Sequence, residues 1–262
     1  MRRLIACICC GILWYSLPSQ DIQGTLPGIK GLETEISGSC WVWSDQVLRV
    51  HHSDTLFFNQ SFLQLGSIHS VDAYNPLKAL IFFKDQGQLL WVDNRAAAIS
   101  AGINLLDLGL EQASAVAASY DNGIWVATGQ DNSIVRLNQN LNIELKVPNI
   151  HRLTSDPNAE IGWMLEHQNR LFVLSTSGVI SMWDIFGGLI ATYRIRTLPT
   201  HVDIQRKRNG IAVVYSSGQL DFQAPFAPFL PVEKTLKTSD LEGFFIDWQK
   251  DTYQWHSNPD KK

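Results

Sequence analysis

Three carboxyl groups and one imidazole are the residues in this chain best suited to chemistry. Asp72 follows Val71 and Asp203 follows Val202, so the same Val–Asp pair occurs in two distant places. Glu166 and His201 complete the set of candidate catalytic residues. Carboxyl pairs that share one cleft carry out general acid–base chemistry and glycoside hydrolysis. Whether these groups meet depends on the elements that carry them.

Those elements belong to a β-hairpin pattern that is repeated about six times. Each copy has a short apolar run, a tight turn and a second run that ends beside Asp or Asn. The turns contain Asp54, Gly87, Asn132, Gly178, Gly218 and Asp251. Their average spacing is about 39 residues, which is typical of the four-stranded units of a radial β array.

Shorter runs before and after most hairpins predict a four-stranded meander for each unit. The sequence therefore predicts an all-β fold, a β-propeller of about six four-stranded antiparallel blades, with five or seven blades as alternatives. An N-terminal run at 29–36 would complete the last blade and close the ring. We divide the chain into a signal peptide (1–19), a lead-in segment (20–32), the propeller (33–258) and a C-terminal tail (259–262).

Two sets of motifs carry a resemblance to known propellers. The segment from Ile180 to Gly187 resembles the strand-then-Gly ending of six-bladed, NHL-like propellers. The runs that begin at Ser70, Leu105 and Tyr120 resemble exported bacterial propellers of unassigned function. Trp183–Asp184 is a WD dipeptide, but no Gly-His pair accompanies it, which disfavours a WD40 protein. The resemblance implies a fold and identifies no catalytic residue.

In a propeller, the first strand of each unit is the innermost one and lines the central channel. Asp72 and Asp203 lie on two such strands, and Glu166 and Ser119 add polar groups to the same channel. This arrangement would allow a hydrolase of glycans or lactones. The competing interpretation is that each carboxylate accepts hydrogen bonds from backbone N–H groups near a turn.

The tryptophans and histidines supply weaker candidates. Most tryptophans recur in the hairpin strands and would fill the space between blades, and we take Trp41 and Trp43 as the exceptions that bind a ligand. The histidines share no common position in the repeat, and His51 and His52 would point to opposite faces of one strand. We therefore predict no metal site and no cofactor.

A Pro-rich run after Phe222 departs from the repeat. Its proline residues cannot lie in a central strand, so the run would form an edge or an extended loop. Phe226 and Phe229, if exposed, would form a docking patch for a partner.

The N-terminus predicts export. Arg2 and Arg3 precede an apolar run of about 14 residues, which is shorter than the roughly 20 that span a bilayer. We expect a cleaved signal, no transmembrane span in the mature chain, and a periplasmic or outer-membrane-associated location without a lipid anchor. Three of the four cysteines lie in this run, so the mature chain keeps only Cys40.

Composition and motifs lead to one functional expectation. The chain is 45% hydrophobic with a formal net charge of −4, which gives no electrostatic basis for nucleic-acid binding. The nucleophile-elbow, zinc-protease and P-loop motifs are all missing from the sequence. We expect a non-catalytic binding or scaffolding module whose partner is an envelope protein or polymer. The alternatives are the propeller hydrolase and, more remotely, a quinone-dependent dehydrogenase.

Overall fold

The computed structural model describes residues 23–34, 39–52, 56–75, 77–153, 156 and 158–195, and the strand backbones at 201–205, 210–214, 220–223, 235–236, 243–247 and 252–256. The predicted signal peptide, Phe226 and Phe229 lie outside the described residues. Asp203 and His201 lie on a strand that is described by its backbone alone. Within the described part of the chain, no helix is long and apolar enough to cross a membrane.

The strands form five antiparallel sheets of four strands and a sixth sheet of three. The chain begins with β1 (Gln23–Thr25), which belongs to the last sheet. The first blade consists of β2 (Gly31–Thr34), β3 (Cys40–Trp43), β4 (Val47–His51) and β5 (Phe57–Ser61). The second consists of β6 (Ser70–Asn75), β7 (Lys78–Phe83), β8 (Gln88–Asp93) and β9 (Ile103–Asn104).

The remaining blades follow in chain order. The third consists of β10 (Ala113–Ala118), β11 (Ile124–Thr128), β12 (Ser133–Leu137) and β13 (Ile143–Val147). The fourth consists of β14 (Ile161–His167), β15 (Arg170–Ser175), β16 (Val179–Asp184) and β17 (Leu189–Arg194). The fifth consists of β18 (His201–Gln205), β19 (Gly210–Val214), β20 (Leu220–Gln223) and β21 (Thr235–Leu236). The sixth combines β22 (Gly243–Asp247) and β23 (Thr252–His256) with β1.

Short 3₁₀ helices connect some of these strands. They span Lys84–Gln86, Leu106–Leu108 and Ile150–Leu153. The order of strands within every four-stranded sheet follows the chain, so each sheet is a meander, as the repeat predicts. The predicted propeller class and its antiparallel blades are confirmed.

The first strands of neighbouring blades lie beside one another around a common axis. β22 contacts β2, β2 contacts β6, β6 contacts β10, and β10 contacts β14. The first strand is therefore the innermost one in these five blades, and its residues form the wall of the central channel.

The ring is closed by an N-terminal strand, as predicted, although by a different one. β1 pairs with β23 in an antiparallel register that places Gly24 opposite Tyr253. The run at 29–36, which we expected in this role, instead contributes β2, the inner strand of the first blade. Its Leu32 packs with Cys40 and Val42 in one apolar cluster, so burial of this side chain places β2 in the first blade. β1 lies within the segment that we predicted as a lead-in.

The hydrophobic core lies between the blades. One cluster joins the first and second blades and contains Trp41, Leu48 and Phe83. Another joins the third and fourth blades through Trp125 and Trp183. Where a neighbouring blade covers both faces of a central strand, the strand is largely apolar, as in β7, in which every residue after Lys78 is buried.

Gly31 provides a test of this close packing. A Cβ added to Gly31 would lie 2.1 Å from Cζ2 of Trp43, whose ring is itself packed in the core. We expect Gly31→Ala to lower the free energy of unfolding by about 1–3 kcal/mol, because the strand or the indole must move. Urea denaturation measures this change.

Gly162→Ala is the matched control. Gly162 also lies on an inner strand, but the nearest atom to its added Cβ is 3.7 Å away, an ordinary contact. An equal loss of stability in the two variants would contradict the assigned packing of Trp43 on Gly31.

Candidate functional site

A cavity of about 210 Å³ lies on the axis, where the first halves of four inner strands converge. β2, β6, β10 and β14 each contribute to its wall. Its polar lining includes Lys30, Glu33, His69, Ser70 and Asp72. The remainder is largely apolar. A concave, mostly apolar site with a few convergent polar groups is the usual form of a small-molecule pocket.

Two tryptophans form part of the cavity wall. Trp43 lies over Gly31 and is 6% exposed, whereas Trp163 is half-buried. Nε1 of Trp43 is buried and has no hydrogen-bond partner among the described residues. Trp41, the other predicted ligand-binding tryptophan, is completely buried in the packing between the first two blades.

Glu33 is a buried carboxyl group of the cavity that the sequence analysis missed. It lies on β2 opposite Trp41 and is 7% exposed. Burial, with the negative charge of Glu33 as a second cause, raises the pKa of the Cys40 thiol well above its usual range. The thiol is therefore protonated at neutral pH. The sequence analysis missed Glu33 because its strand is only four residues long. The strand also crosses residue 32, where we predicted that the lead-in segment ends and the propeller begins.

His69 stands at the mouth of the cavity, just before β6. Its backbone N–H donates to the carbonyl of Phe82 at 2.8 Å, and its ring packs edge-on against that phenyl ring, with centroids 5.6 Å apart. Although the residue is exposed, desolvation of its ring lowers the pKa of His69, the charge of Lys84 lowers it further, and Asp85 opposes the shift. The imidazole is thus neutral at neutral pH and able to accept a proton.

Asp72 lines the cavity and also joins two blades. Its Oδ2 accepts a hydrogen bond from the backbone N–H of Ala118 at 2.7 Å, and its Oδ1 accepts one from the N–H of Tyr74 at 3.1 Å. Ala118 ends β10, so the carboxylate of the second blade holds the inner strand of the third. The backbone bonding that we considered as the competing interpretation for Asp72 is present, and so is a cavity beside it.

Glu166 holds the same segment from the opposite side. From the fourth blade it accepts hydrogen bonds from the Ser119 hydroxyl (2.7 Å), the Tyr120 backbone N–H (3.2 Å) and the Trp125 indole (2.5 Å). It is buried and does not line the cavity. Ser119 also accepts a hydrogen bond from Nε of Arg136, so a buried cation lies beside this carboxylate.

An aromatic contact lies beyond these carboxylates. Tyr74, near the end of β6, packs edge-on against His167, at the end of β14, with ring centroids 5.7 Å apart. The contact joins the second and fourth blades directly. The inner strands are therefore tied together at their ends, and the cavity occupies the part of the channel near their starts.

The structure brings together only part of the predicted catalytic set. Asp72 lies in the cavity and Glu166 lies outside it, while the side chains of Asp203 and His201 are not described. Among the described residues, no group of three His, Cys, Asp or Glu side chains is arranged to hold a metal ion.

Comparisons with known proteins were made by family, by sequence and by structure. No family model and no curated protein sequence matches the chain. Its fold is similar to that of a streptogramin B lyase, with a TM-score of 0.51 and 11% identity over 79% of this chain and 74% of that one. It is also similar to virginiamycin B lyase from Staphylococcus aureus, with a TM-score of 0.53 and 10% identity over 90% of this chain and 98% of that one.

A third solved structure is a catalytically inactive variant of the Staphylococcus aureus enzyme with quinupristin. Its TM-score is 0.54, its identity is 10%, and the match covers 90% of this chain and 98% of that one. At such low identity these matches establish the β-propeller fold. The expectation of a non-catalytic binding or scaffolding module is contradicted, because these neighbours are lyases, propellers that catalyse a reaction. The sequence misled us because the cavity is assembled from separate inner strands and leaves no local motif.

The hydrogen bonds of Glu166 generate a stability prediction. Glu166→Gln removes the negative charge and replaces one acceptor oxygen by a donor, so at least one of its three donors loses its partner. We expect the free energy of unfolding to fall by about 1–3 kcal/mol, measured by urea denaturation.

Glu144→Gln is the control for the loss of charge, since this side chain is 44% exposed and its contact with Arg136 is 4.0 Å long. It should change stability by less than about 0.5 kcal/mol. Equal effects of the two substitutions would show that Glu166 does not connect the blades.

Proposed function

We propose that the protein is a propeller enzyme that binds a small molecule in the axial cavity and cleaves it by a lyase reaction. The observation that carries the proposal is the cavity itself, which has a neutral imidazole at its mouth and buried carboxylates in its wall. The fold that this chain shares with two lyases supports the same reaction class.

A lyase reaction without added water needs a base and a group that stabilises the developing negative charge. His69 would accept a proton from a carbon of the substrate, the electron pair of that C–H bond would form a double bond, and the bond to the leaving group would break. The Lys30 ammonium, which also lines the cavity, would stabilise the negative charge that develops.

Asp72 and Glu166 fit this reaction as groups that hold the wall in place. Each accepts hydrogen bonds from β10 or the residues that follow it, and Glu166 does not reach the cavity. A hydrolase with these two as its carboxyl pair would need both beside one substrate. The geometry therefore favours the imidazole as the proton acceptor.

Quinupristin, the compound present in one neighbouring structure, is the first substrate to test. The purified protein should consume it, and mass spectrometry should show products that together contain the atoms of quinupristin and no added water. Products that contain one added water would show hydrolysis and contradict the lyase reaction. Unchanged quinupristin would show that it is not a substrate of this protein.

His69→Gln should lower the rate by about 10²–10⁴-fold, the usual contribution of a general base. His52→Gln is the control, because His52 lies outside the cavity and bonds Ser39 and the carbonyl of Asn94. A rate that is unchanged in His69→Gln would remove His69 from the mechanism.

The lowered pKa of His69 determines the expected pH profile. The rate should be independent of pH above the ordinary histidine value of about 6.5 and should fall only once the pH drops below the lowered pKa of His69, where the imidazole becomes protonated. A pH–rate profile of kcat/KM measures this limb. A limb centred above about 6.5 would contradict His69 as the base.

We also propose that the protein is exported and is an NHL-like propeller. Arg2, Arg3 and the apolar run that follows support export, and the segment from Ile180 to Gly187 supports the NHL-like type. An envelope protein or polymer as a partner stays a prediction. N-terminal sequencing of the protein purified from the envelope fraction tests cleavage near residue 19.

A further inference from the structure

We infer that the axial cavity binds a ligand with a protonated amine on an apolar body and an acceptor oxygen nearby. The inference deepens the proposed function, since it concerns the same cavity and names the chemical class of its ligand. It rests on the charged groups, the aromatic groups and a buried indole N–H of the described cavity wall.

The charge of the wall is the first argument. Glu33 and Asp72 are the acidic side chains of the described wall, and each is only 7% exposed, so solvent and salt screen them weakly. Lys30 is the one described cation of the wall, and its ammonium lies 3.4 Å from the carboxylate of Asp45, at an exposed position. His69 adds no charge at neutral pH because its pKa is lowered. The described part of the wall therefore holds two acidic groups and one cation, which favours a cationic ligand.

The rigidity of one carboxylate is the second argument. Two backbone N–H groups, from Tyr74 and Ala118, hold the carboxylate of Asp72 in place. A group held in this way does not have to be ordered when a ligand arrives, which reduces the cost of binding.

The apolar and aromatic wall determines the rest of the ligand. Leu32, Val71 and Val116 lie beside the indoles of Trp43 and Trp163. Indole faces attract ammonium groups as well as apolar surface. The buried Nε1–H of Trp43, which has no partner among the described residues, would donate to an oxygen of the ligand once the indole ring turns toward it.

A metal ion is the other cation to consider. Metal ions in proteins generally require several ligand atoms in a defined geometry. Among the described residues, no three His, Cys, Asp or Glu side chains are grouped in that way. An organic amine, which needs few polar contacts and gains from apolar walls, fits the cavity better.

Two amides that differ in one charged group provide the test. Phenylalaninamide carries an ammonium group, an aromatic ring and a carbonyl oxygen, and 3-phenylpropanamide has the same ring and carbonyl without the ammonium. Binding of each to the whole protein would be measured by titration calorimetry at neutral pH. We expect the amine to bind about tenfold more tightly or better, the size of a charge-assisted hydrogen bond.

Substitutions at the wall assign this preference to the cavity. Glu33→Gln should reduce the affinity for phenylalaninamide by about tenfold and leave 3-phenylpropanamide unchanged, whereas Glu144→Gln, which is exposed and outside the cavity, should change neither. Lys30→Met should act in the opposite direction and strengthen amine binding. Since Lys30 is 54% exposed, this variant keeps the test valid if Glu33→Gln fails to fold.

Equal binding of the two amides, tighter binding of the neutral one, or no binding of either would overturn the inference. A preference that is unchanged in size in Glu33→Gln and in Lys30→Met would overturn it as well, because the amine would then bind elsewhere. The proposed reaction fails separately. If the protein cleaves quinupristin but shows no preference for the amine, the proposed enzyme activity stands and the proposed ligand class is wrong. If it prefers the amine but does not cleave quinupristin, the ligand class stands and the proposed activity on this substrate is wrong.

Discussion

The structure depends on one packing constraint, namely that the central strands of its sheets are largely apolar on both faces, and a single sheet cannot bury either face alone. Strands such as β7, whose five residues from Ala79 to Phe83 are all buried, need a neighbouring blade on each side. A closed ring meets this requirement for every blade. Closure by β1 on β23 follows from the same need, because among the described strands the last blade otherwise consists of β22 and β23.

The ring also creates the site. Inner strands converge on the axis, where their side chains cannot fill the space completely, and the cavity is what remains near the strand starts. Near the strand ends, Asp72 and Glu166 reach from two blades to the end of β10. Truncating such buried, hydrogen-bonded carboxylates is costly because their partners remain buried. Asp72 therefore both connects two blades and lines the cavity, whereas Glu166 connects blades without reaching it.

The functional proposal follows from two different roles that the polar groups of the channel have. Buried carboxylates that accept backbone hydrogen bonds maintain the wall, and the neutral imidazole of His69 lies at the exposed edge of the cavity. This arrangement is consistent with a catalytic propeller, as are the lyases of similar fold. It also explains why a search for local motifs suggested a scaffold.

Much of the fold could be predicted from the sequence because the determinants are local. The spacing of the turns, from Asp54 to Asp251, and the apolar runs between them indicate where the strands lie. The identity of the closing strand was beyond this reasoning, since 29–36 and 23–25 both lie in a segment with Gly and Pro. Pairing with β23 and burial of Leu32 decided between them.

The sequence by itself determined that the chain forms blades and that Asp72 lies on an inner strand. Only the tertiary structure decided that Asp72 shares a cavity with Glu33 and His69, while Glu166 turns to Ser119 and Trp125. The physical reason is that a strand pattern specifies which residues share a face within one sheet. Which residues of different sheets meet at the axis depends on how the blades close, and no local pattern carries that information.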